Sequence, residues 1–217
     1  MYLFSIDWSI DTFSRLGSSQ REVHLEMPRK DGWPRTMRYH SDFDRPWCQM
    51  ILSDPNVEWQ KQTHELQAKE DGRPTTNTMF QRTLYTDSGI IGHLSFRRAC
   101  SEPEAIFPWE ECFLISVGDG IDGAQGRAHG GFNSLLLDHI CGHCAAHTLD
   151  NDNAPATATL TTDYKAPVST PCVILCRGWV IEHSGRKVWV KAVIEDESGK
   201  VLAAGKALFI ASKKPKL

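Results

Sequence analysis

A histidine, two glycines and a carboxylate are spaced closely near the middle of the chain. His129, Gly130 and Gly131 directly precede an apolar run, and Asp138 lies inside that run. The first N–H groups of a helix have no partner within the helix, and glycine lets a ligand approach the bare backbone. A helix that begins here could therefore bind an anion or stabilise charge that develops on an oxygen atom.

This chemistry requires a helix that begins at the two glycines. A glycine-rich loop over 118–126 precedes them, and the pattern after it predicts a helix over 131–147. Apolar residues cover most of its circumference, which is typical of a buried helix. Asp138 is the exception, because an unpaired carboxylate loses hydration in such a setting. We interpret it either as a functional group or as a carboxylate that bonds a backbone N–H or faces a wet groove.

The sequence on both sides of the helix alternates with a period of two. This alternation predicts seven strands, over 79–86, 89–98, 111–117, 157–166, 172–182, 187–196 and 201–210. Ser184-Gly185 and Ser198-Gly199 predict tight hairpins, because glycine accepts a positive φ. One buried helix among antiparallel strands predicts an α+β fold, in which a curled antiparallel sheet wraps around one long central helix.

The N-terminal third of the chain has a different pattern. Amphipathic stretches at 47–51 and 57–66 favour short helices, so we predict a helical extension over residues 1–75. The polar segment 69–74 contains Gly and Pro and predicts the domain boundary. The main domain is then 76–212, followed by a basic tail over 213–217.

Composition excludes several classes of function. The formal charge of −3 among 217 residues gives no basic surface of the kind that binds nucleic acid. No apolar stretch reaches about 18 residues, so we expect no membrane span. Seven cysteines, an odd number, favour reduced thiols and a cytoplasmic location. The final Pro215-Lys216-Leu217 resembles the peroxisomal Ser-Lys-Leu address, which leaves peroxisomal import open.

An ordered set of motifs resembles one protein family. His129-Gly130-Gly131, Asp138 nine positions after the histidine, and Gly142 resemble the hotdog-fold thioesterases. The branch includes bacterial phenylacetate-pathway thioesterases and the mammalian thioesterase-superfamily members. The similarity covers about 79–211 and continues through the motifs at 157–160, 163–167 and 205–210.

The resemblance implies hydrolysis of an acyl thioester, most often acyl-coenzyme A, without a metal or bound cofactor. It implies that the Gly131 N–H polarises the thioester carbonyl and that Asp138 acts as general base or as nucleophile. His129 would orient the loop or contact the carbonyl, and its alternative role is a helix cap. Thr157 would help to place the water or nucleophile, although it could also be a β-branched filler.

The resemblance also implies a partner subunit and a substrate groove. Two subunits would pair as a homodimer or a dimer of dimers, with the site at their interface. Gly130, Asn133 and Ser134 would line the groove, and Lys206 is a candidate for binding the substrate, together with other basic residues, Arg127, Lys165 and Arg186. Some relatives have an asparagine where this chain has Gly123.

Three alternatives stay open at this stage. An acyl carrier protein presents the same pantetheine arm as coenzyme A and could supply the thioester. A non-catalytic acyl-CoA-binding protein would use the same groove without Asp138. A hotdog dehydratase would pair a histidine with a carboxylate, but the spacing of His129 and Asp138 matches the thioesterase branch better.

Two cysteine patterns in the second half of the chain suggest other kinds of site. Cys141-Gly142-His143-Cys144 is identical to the redox motif of disulfide isomerases, but that chemistry needs the first cysteine at a helix N-terminus. Adding Cys172 and Cys176 gives four possible zinc ligands. The second pair lies on a predicted strand, so we expect neither redox chemistry nor a cysteine zinc site.

Three histidines follow one stripe of the predicted helix. His139, His143 and His147 are spaced by four residues, and two of them could share a metal ion. The sequence shows no separate acidic or cysteine ligand near them. We therefore interpret the stripe as a polar surface against a subunit or solvent.

Overall fold

The computed structural model describes residues 38–60, 78–149 and 154–211. These residues contain two α-helices and nine strands: α1 (Pro46–Leu52), β1 (Glu58–Trp59), β2 (Ile90–Ala99), β3 (Trp109–Val117), β4 (Asp122–Ala124), β5 (Arg127–Ala128), α2 (Gly130–Thr148), β6 (Ala156–Tyr164), β7 (Cys172–Ser184), β8 (Lys187–Glu195) and β9 (Val201–Ile210). None of the helices in this part of the chain is long and apolar enough to cross a membrane.

Seven of the strands form one antiparallel sheet in the order β1-β2-β3-β7-β8-β9-β6. β4 and β5 form a separate hairpin that leads into α2. α2 packs on one face of the large sheet, against β3 and β6–β9. This is the hotdog fold, and it confirms the predicted fold class.

The core lies between α2 and the sheet because both present apolar side chains there. On β8 the alternating residues Val188, Val190, Ala192 and Ile194 are all buried against the helix, as their spacing predicts. Gly178 on β7 allows the closest approach, because a Cβ atom there would lie 2.8 Å from Cys144 Sγ and 3.0 Å from Ile140 Cγ1. The predicted hairpins are confirmed by positive φ values of 57° at Gly185 and 77° at Gly199.

The described part of the extension covers the other face of the sheet. Phe43, which lies just before α1, and Cys48 and Leu52 of α1 pack against outward-facing apolar residues of β2, β3 and β7. Gly92 makes room for this contact, since a Cβ atom there would lie 2.8 Å from the Phe43 ring. The helix predicted over 47–51 is therefore present as α1.

Two stretches adopt a different structure from the prediction. The strand predicted over 79–86 is instead a π-helical turn, Phe80–Leu84. The apolar residues Phe80 and Leu84 are spaced by four. A run this short fits the period of two of a strand as well as the helical period. Glu58–Trp59, predicted to be helical, pair with Arg97 and Phe96 of β2 as the edge strand β1, because unpaired groups at a sheet edge accept a further strand.

Several predictions lie outside the described residues. They concern the N-terminal residues before 38, the stretch over 61–66, the boundary over 69–74 and the basic tail over 213–217. The division into an extension, a domain and a tail therefore stays a prediction.

Candidate active site

The N-terminus of α2 is capped by the side chain of His129. The residue has extended backbone angles (φ −61°, ψ 137°), and its Nδ1 accepts a hydrogen bond of 2.9 Å from the Gly131 N–H. Because Nδ1 is an acceptor, the proton of a neutral ring lies on Nε2. The alternative role of His129 as a helix cap is thus the one found in this conformation, and it occupies the predicted oxyanion donor.

Gly123 holds the histidine close to the preceding hairpin. A Cβ atom at Gly123 would lie 2.9 Å from both Cα and Cδ2 of His129. The His129 N–H also donates to the carbonyl of Ile121, at 2.8 Å. An asparagine at position 123, as in some relatives, would need the histidine to move.

Asp138 and Thr157 are hydrogen-bonded to each other. The Thr157 hydroxyl donates to Asp138 Oδ1 at 2.9 Å. Asp138 is half-buried on α2, and Thr157 is exposed on β6, the edge strand beside the helix. The structure therefore joins two predicted site residues that lie 19 positions apart in the chain.

A groove of about 580 Å³ opens beside the N-terminus of α2. It is lined by the predicted residues His129, Gly130 and Asn133, and by two cationic residues, Arg127 and Lys165. Asn133 is 4 % exposed, and its Oδ1 has no hydrogen-bond partner among the described residues. This oxygen can accept a hydrogen bond from a ligand in the groove.

Tyr164 is a groove residue that the sequence analysis missed. Its hydroxyl lies 2.7 Å from Ser134 Oγ and donates to the Gly130 carbonyl at 3.1 Å. Ser134, predicted to line the site, also donates to Thr162 at 3.3 Å. Tyr164 lies inside the family motif at 163–167, so the sequence marked the segment. Its contact with α2 was not predictable, because it depends on where β6 lies beside the helix.

The geometry separates the two predicted catalytic elements within one chain. Asp138 follows Gly131 by seven residues on the same helix. At a rise of 1.5 Å per residue they lie about 10 Å apart along the axis. The two predicted elements are thus about two helical turns apart in a single copy of the chain.

The sequence model of the thioesterase superfamily matches residues 125–203. This segment contains α2 with its histidine cap, Asp138 and Thr157. Residues 125–203 of the chain are therefore similar to the thioesterase superfamily.

Known proteins resemble part of this chain over part of their own length. The chain is 32 % identical over 98 residues to acyl-coenzyme A thioesterase THEM4 of Xenopus laevis, covering 45 % of this chain and 43 % of that protein. It is 31 % identical over 98 residues to THEM4 of Rattus norvegicus, covering 45 % and 41 %. The chain thus spans less than half the length of these curated relatives.

Solved structures are similar as well. A crystal structure of a thioesterase superfamily protein aligns with a TM-score of 0.45 and 25 % identity, over 54 % of this chain and 53 % of the other. Zebrafish thioesterase superfamily member 2 aligns with a TM-score of 0.44 and 14 % identity, over 53 % and 81 %.

Lys206 does not line the groove at the N-terminus of α2. Its neighbour Gly205 faces Leu137 of α2, so Lys206 points to the opposite face of the sheet. There its Nζ lies 4.9 Å above the Trp189 ring. Its role in substrate binding stays a prediction.

The two cysteines of α2 are free thiols that pack in the core. Cys141 and Cys144 lie inside α2 and are completely buried. Burial raises the pKa of both thiols above the ordinary value. A redox cysteine needs the opposite shift, so the motif contributes to the core rather than to catalysis.

Proposed function

We propose that the protein hydrolyses acyl thioesters and that acyl-coenzyme A is its substrate class. The hydrogen-bonded pair of Asp138 and Thr157, inside the segment that matches the thioesterase superfamily, carries the proposal. The substrate class follows from the two relatives, which are named acyl-coenzyme A thioesterases.

Asp138 supplies the base or the nucleophile in this proposal. Thr157 donates to Oδ1 and fixes the orientation of the carboxylate, so we assign Oδ2 to the reaction. Oδ2 either accepts a proton from the attacking water or attacks the thioester carbonyl directly. Both routes end with a carboxylic acid and a free thiol.

The N-terminus of α2 stabilises the charge that develops on the carbonyl oxygen. The Gly131 N–H donates to His129 Nδ1 in the present conformation, and rotation of the imidazole would release it toward substrate. One such donor contributes about 3–4 kcal/mol to transition-state stabilisation. His129 therefore holds the donor in place until substrate arrives.

The complete site is shared between two copies of the chain. The separation of about 10 Å between Gly131 and Asp138 is too large for one carbonyl. β6 lies at the edge of the sheet, and unpaired strand edges favour association. In a homodimer, the glycines of one copy would face Asp138 of the other.

The basic side chains of the groove fit the phosphates of coenzyme A. Arg127 and Lys165 line the groove that Gly130 and Asn133 also border. Of the basic residues predicted from sequence, these two are the ones that line the groove. Lys165 Nζ lies 3.4 Å from Asp163 Oδ2. This ion pair is exposed and therefore weak, so a phosphate group could take the place of the Asp163 carboxylate.

A substrate panel tests the proposal. Purified protein is incubated with acyl-CoA esters of short, medium and long chains, and free thiol is measured. Thiol release with a preference for one chain length supports the proposal. If no ester is hydrolysed while acyl-CoA still binds, the activity is wrong and a binding protein is favoured. Release only from an acyl carrier protein would instead contradict the assignment of coenzyme A.

A further inference from the structure

A buried polar cluster lies on the side of α2 that faces β3. Glu111 of β3 is 0 % exposed, and His143 of α2 is 1 % exposed. His147, one turn further along the helix, keeps 30 % of its side chain exposed. Relative to Asp138, these histidines lie about 140° and 180° around the helix, so the cluster is separate from the proposed active site.

His143 has no hydrogen bond that would offset its burial. Neither of its ring nitrogens has a partner among the described residues, and the same holds for Glu111 Oε2. His143 Nε2 lies 3.6 Å from that oxygen, which is too long for a hydrogen bond. Buried polar atoms are normally bonded, so these atoms require another explanation.

The other oxygen of Glu111 is fully engaged. Arg97 donates to Oε1 from Nε at 3.0 Å and from Nη2 at 2.6 Å, and His147 Nδ1 lies 2.8 Å from the same oxygen. Arg97 also lies 4.0 Å above the Trp109 ring. The positive charge of Arg97 repels a second cation near Glu111. However, Arg97 bonds only Oε1, so Glu111 Oε2 stays available to a metal ion.

We propose that Glu111, His143 and His147 bind a zinc ion between β3 and α2. Their ligand atoms all lie within 4.8 Å of one another. Two ligands about 2.1 Å from a tetrahedral zinc ion are about 3.4 Å apart, close to the separation between His143 Nε2 and Glu111 Oε2. A metal at this position would give His143 Nε2 and Glu111 Oε2 a partner.

The chemistry of the three ligands favours zinc over a harder cation. Two imidazoles and one carboxylate are a common zinc set, whereas magnesium and calcium prefer oxygen ligands. Both imidazoles belong to one helix four residues apart, a spacing that lets two histidines share one metal ion.

The zinc ion would fasten the C-terminal half of α2 to the sheet. His147 now bonds Glu111 Oε1 and would exchange this hydrogen bond for the metal. Water can complete the coordination, since His147 gives the site access to solvent. The proposed role is structural and independent of the proposed hydrolysis.

Zinc binding to the full chain tests the proposal. Chelator-treated, dialysed protein is titrated with zinc sulfate against a chromophoric chelator, and the Tm is measured with and without zinc. We expect one zinc ion per chain and a rise in Tm. His143→Gln should weaken zinc binding by more than about tenfold and abolish the rise. His139→Gln is the matched control, since it removes a histidine of the same stripe outside the cluster.

Two results would overturn the proposal. One is a wild-type protein that takes up no zinc, and the other is an equal Tm rise in wild type and His143→Gln. If His143→Gln does not fold, His147→Gln replaces it, because that side chain is partly exposed. No substrate is used, so failure here leaves the proposed hydrolysis untouched.

Discussion

The Asp138 side chain, on an otherwise apolar helix, has its hydrogen-bond partner on a strand. Thr157 donates to Oδ1, and the hydroxyl comes from β6, which is formed by a separate stretch of the chain. A hydrogen bond to a charged group contributes about 1.5–3 kcal/mol. At the scale of single residues, this bond fixes which oxygen is presented to the substrate.

Removing the hydroxyl of Thr157 should lower kcat. We expect Thr157→Val to reduce kcat about 10- to 100-fold with little change in KM, because substrate binding does not depend on this bond. Thr157→Ser restores the hydroxyl and should recover most of the rate. Steady-state kinetics with the preferred acyl-CoA measure both variants. Thr161→Val, on the same strand, is the control, and an equal loss there would contradict the assigned role.

Replacing His129 should separate its capping role from its role in catalysis. His129→Ala removes the cap of α2 and should lower the free energy of unfolding by about 1 kcal/mol. Asparagine is a good cap, so His129→Asn should restore stability while activity stays low. Urea unfolding and thiol release are measured on the same samples. Full activity in the asparagine variant would show that the imidazole acts only as a cap.

The sequence placed His129 at the start of one helix and Asp138 inside the same helix, as the structure has them. Such positions follow from the helical pattern of a single stretch of sequence. Tyr164 and Glu111 were missed because they reach α2 from strands, and strand register cannot be predicted from spacing alone. The face on which Lys206 lies was not predictable for a related reason, since a shift of one residue along a strand reverses the face.

At the scale of elements, the position of α2 is set by small residues of the sheet. Gly178 brings β7 against Ile140 and Cys144 so closely that a methyl group does not fit. Such packing fixes the height of the helix above the sheet and therefore the position of Asp138. The seven-residue alternation on β8 was readable from sequence, but this close approach was not.

Adding a methyl group at Gly178 should push α2 away from β7. We expect Gly178→Ala to lower the free energy of unfolding by about 1–3 kcal/mol. Adding Cys144→Ala removes the sulfur atom 2.8 Å away and should recover part of the loss. Urea unfolding of both single variants and the double variant gives the coupling energy. Strict additivity would contradict the steric explanation.

The turn at Phe80–Leu84 shows the limit of period-based prediction. Phe80 is buried and stacks on His139 of α2, with ring centroids 4.1 Å apart. That contact comes from tertiary packing, which overrides a weak local preference. Strands such as β8 and β9 were predicted to within one residue, because their alternation is long and their hairpins contain glycine.

The proposed mechanism involves two copies of the chain. The glycine terminus and the carboxylate lie about two turns apart on one helix, and β6 is an edge strand of the sheet that the described residues form. Each site of a symmetric dimer would take the terminus from one subunit and the Asp138–Thr157 pair from the other.

Mixing two inactive variants tests the shared site. We expect His129→Ala and Asp138→Asn to have little activity alone. After unfolding and refolding together, half of the dimers are mixed and each has one intact site, so about a quarter of the wild-type activity should return. A mixture of Asp138→Asn with Thr157→Val should not recover activity. Both changes damage the half of the site that holds the Asp138–Thr157 pair, so every site of a mixed dimer is damaged. No recovery despite subunit exchange, verified by native mass spectrometry, would contradict the shared site.

The catalytic role of Asp138 is tested by comparing Asp138→Asn with wild type on one acyl-CoA ester. We measure kcat/KM by thiol release and coenzyme A binding by calorimetry, with Asp87→Asn as the control for an exposed carboxylate. We expect Asp138→Asn to lower kcat/KM by at least about 100-fold, while coenzyme A binding and the activity of Asp87→Asn stay unchanged. Wild-type turnover in Asp138→Asn would show that Asp138 is not the catalytic base or nucleophile.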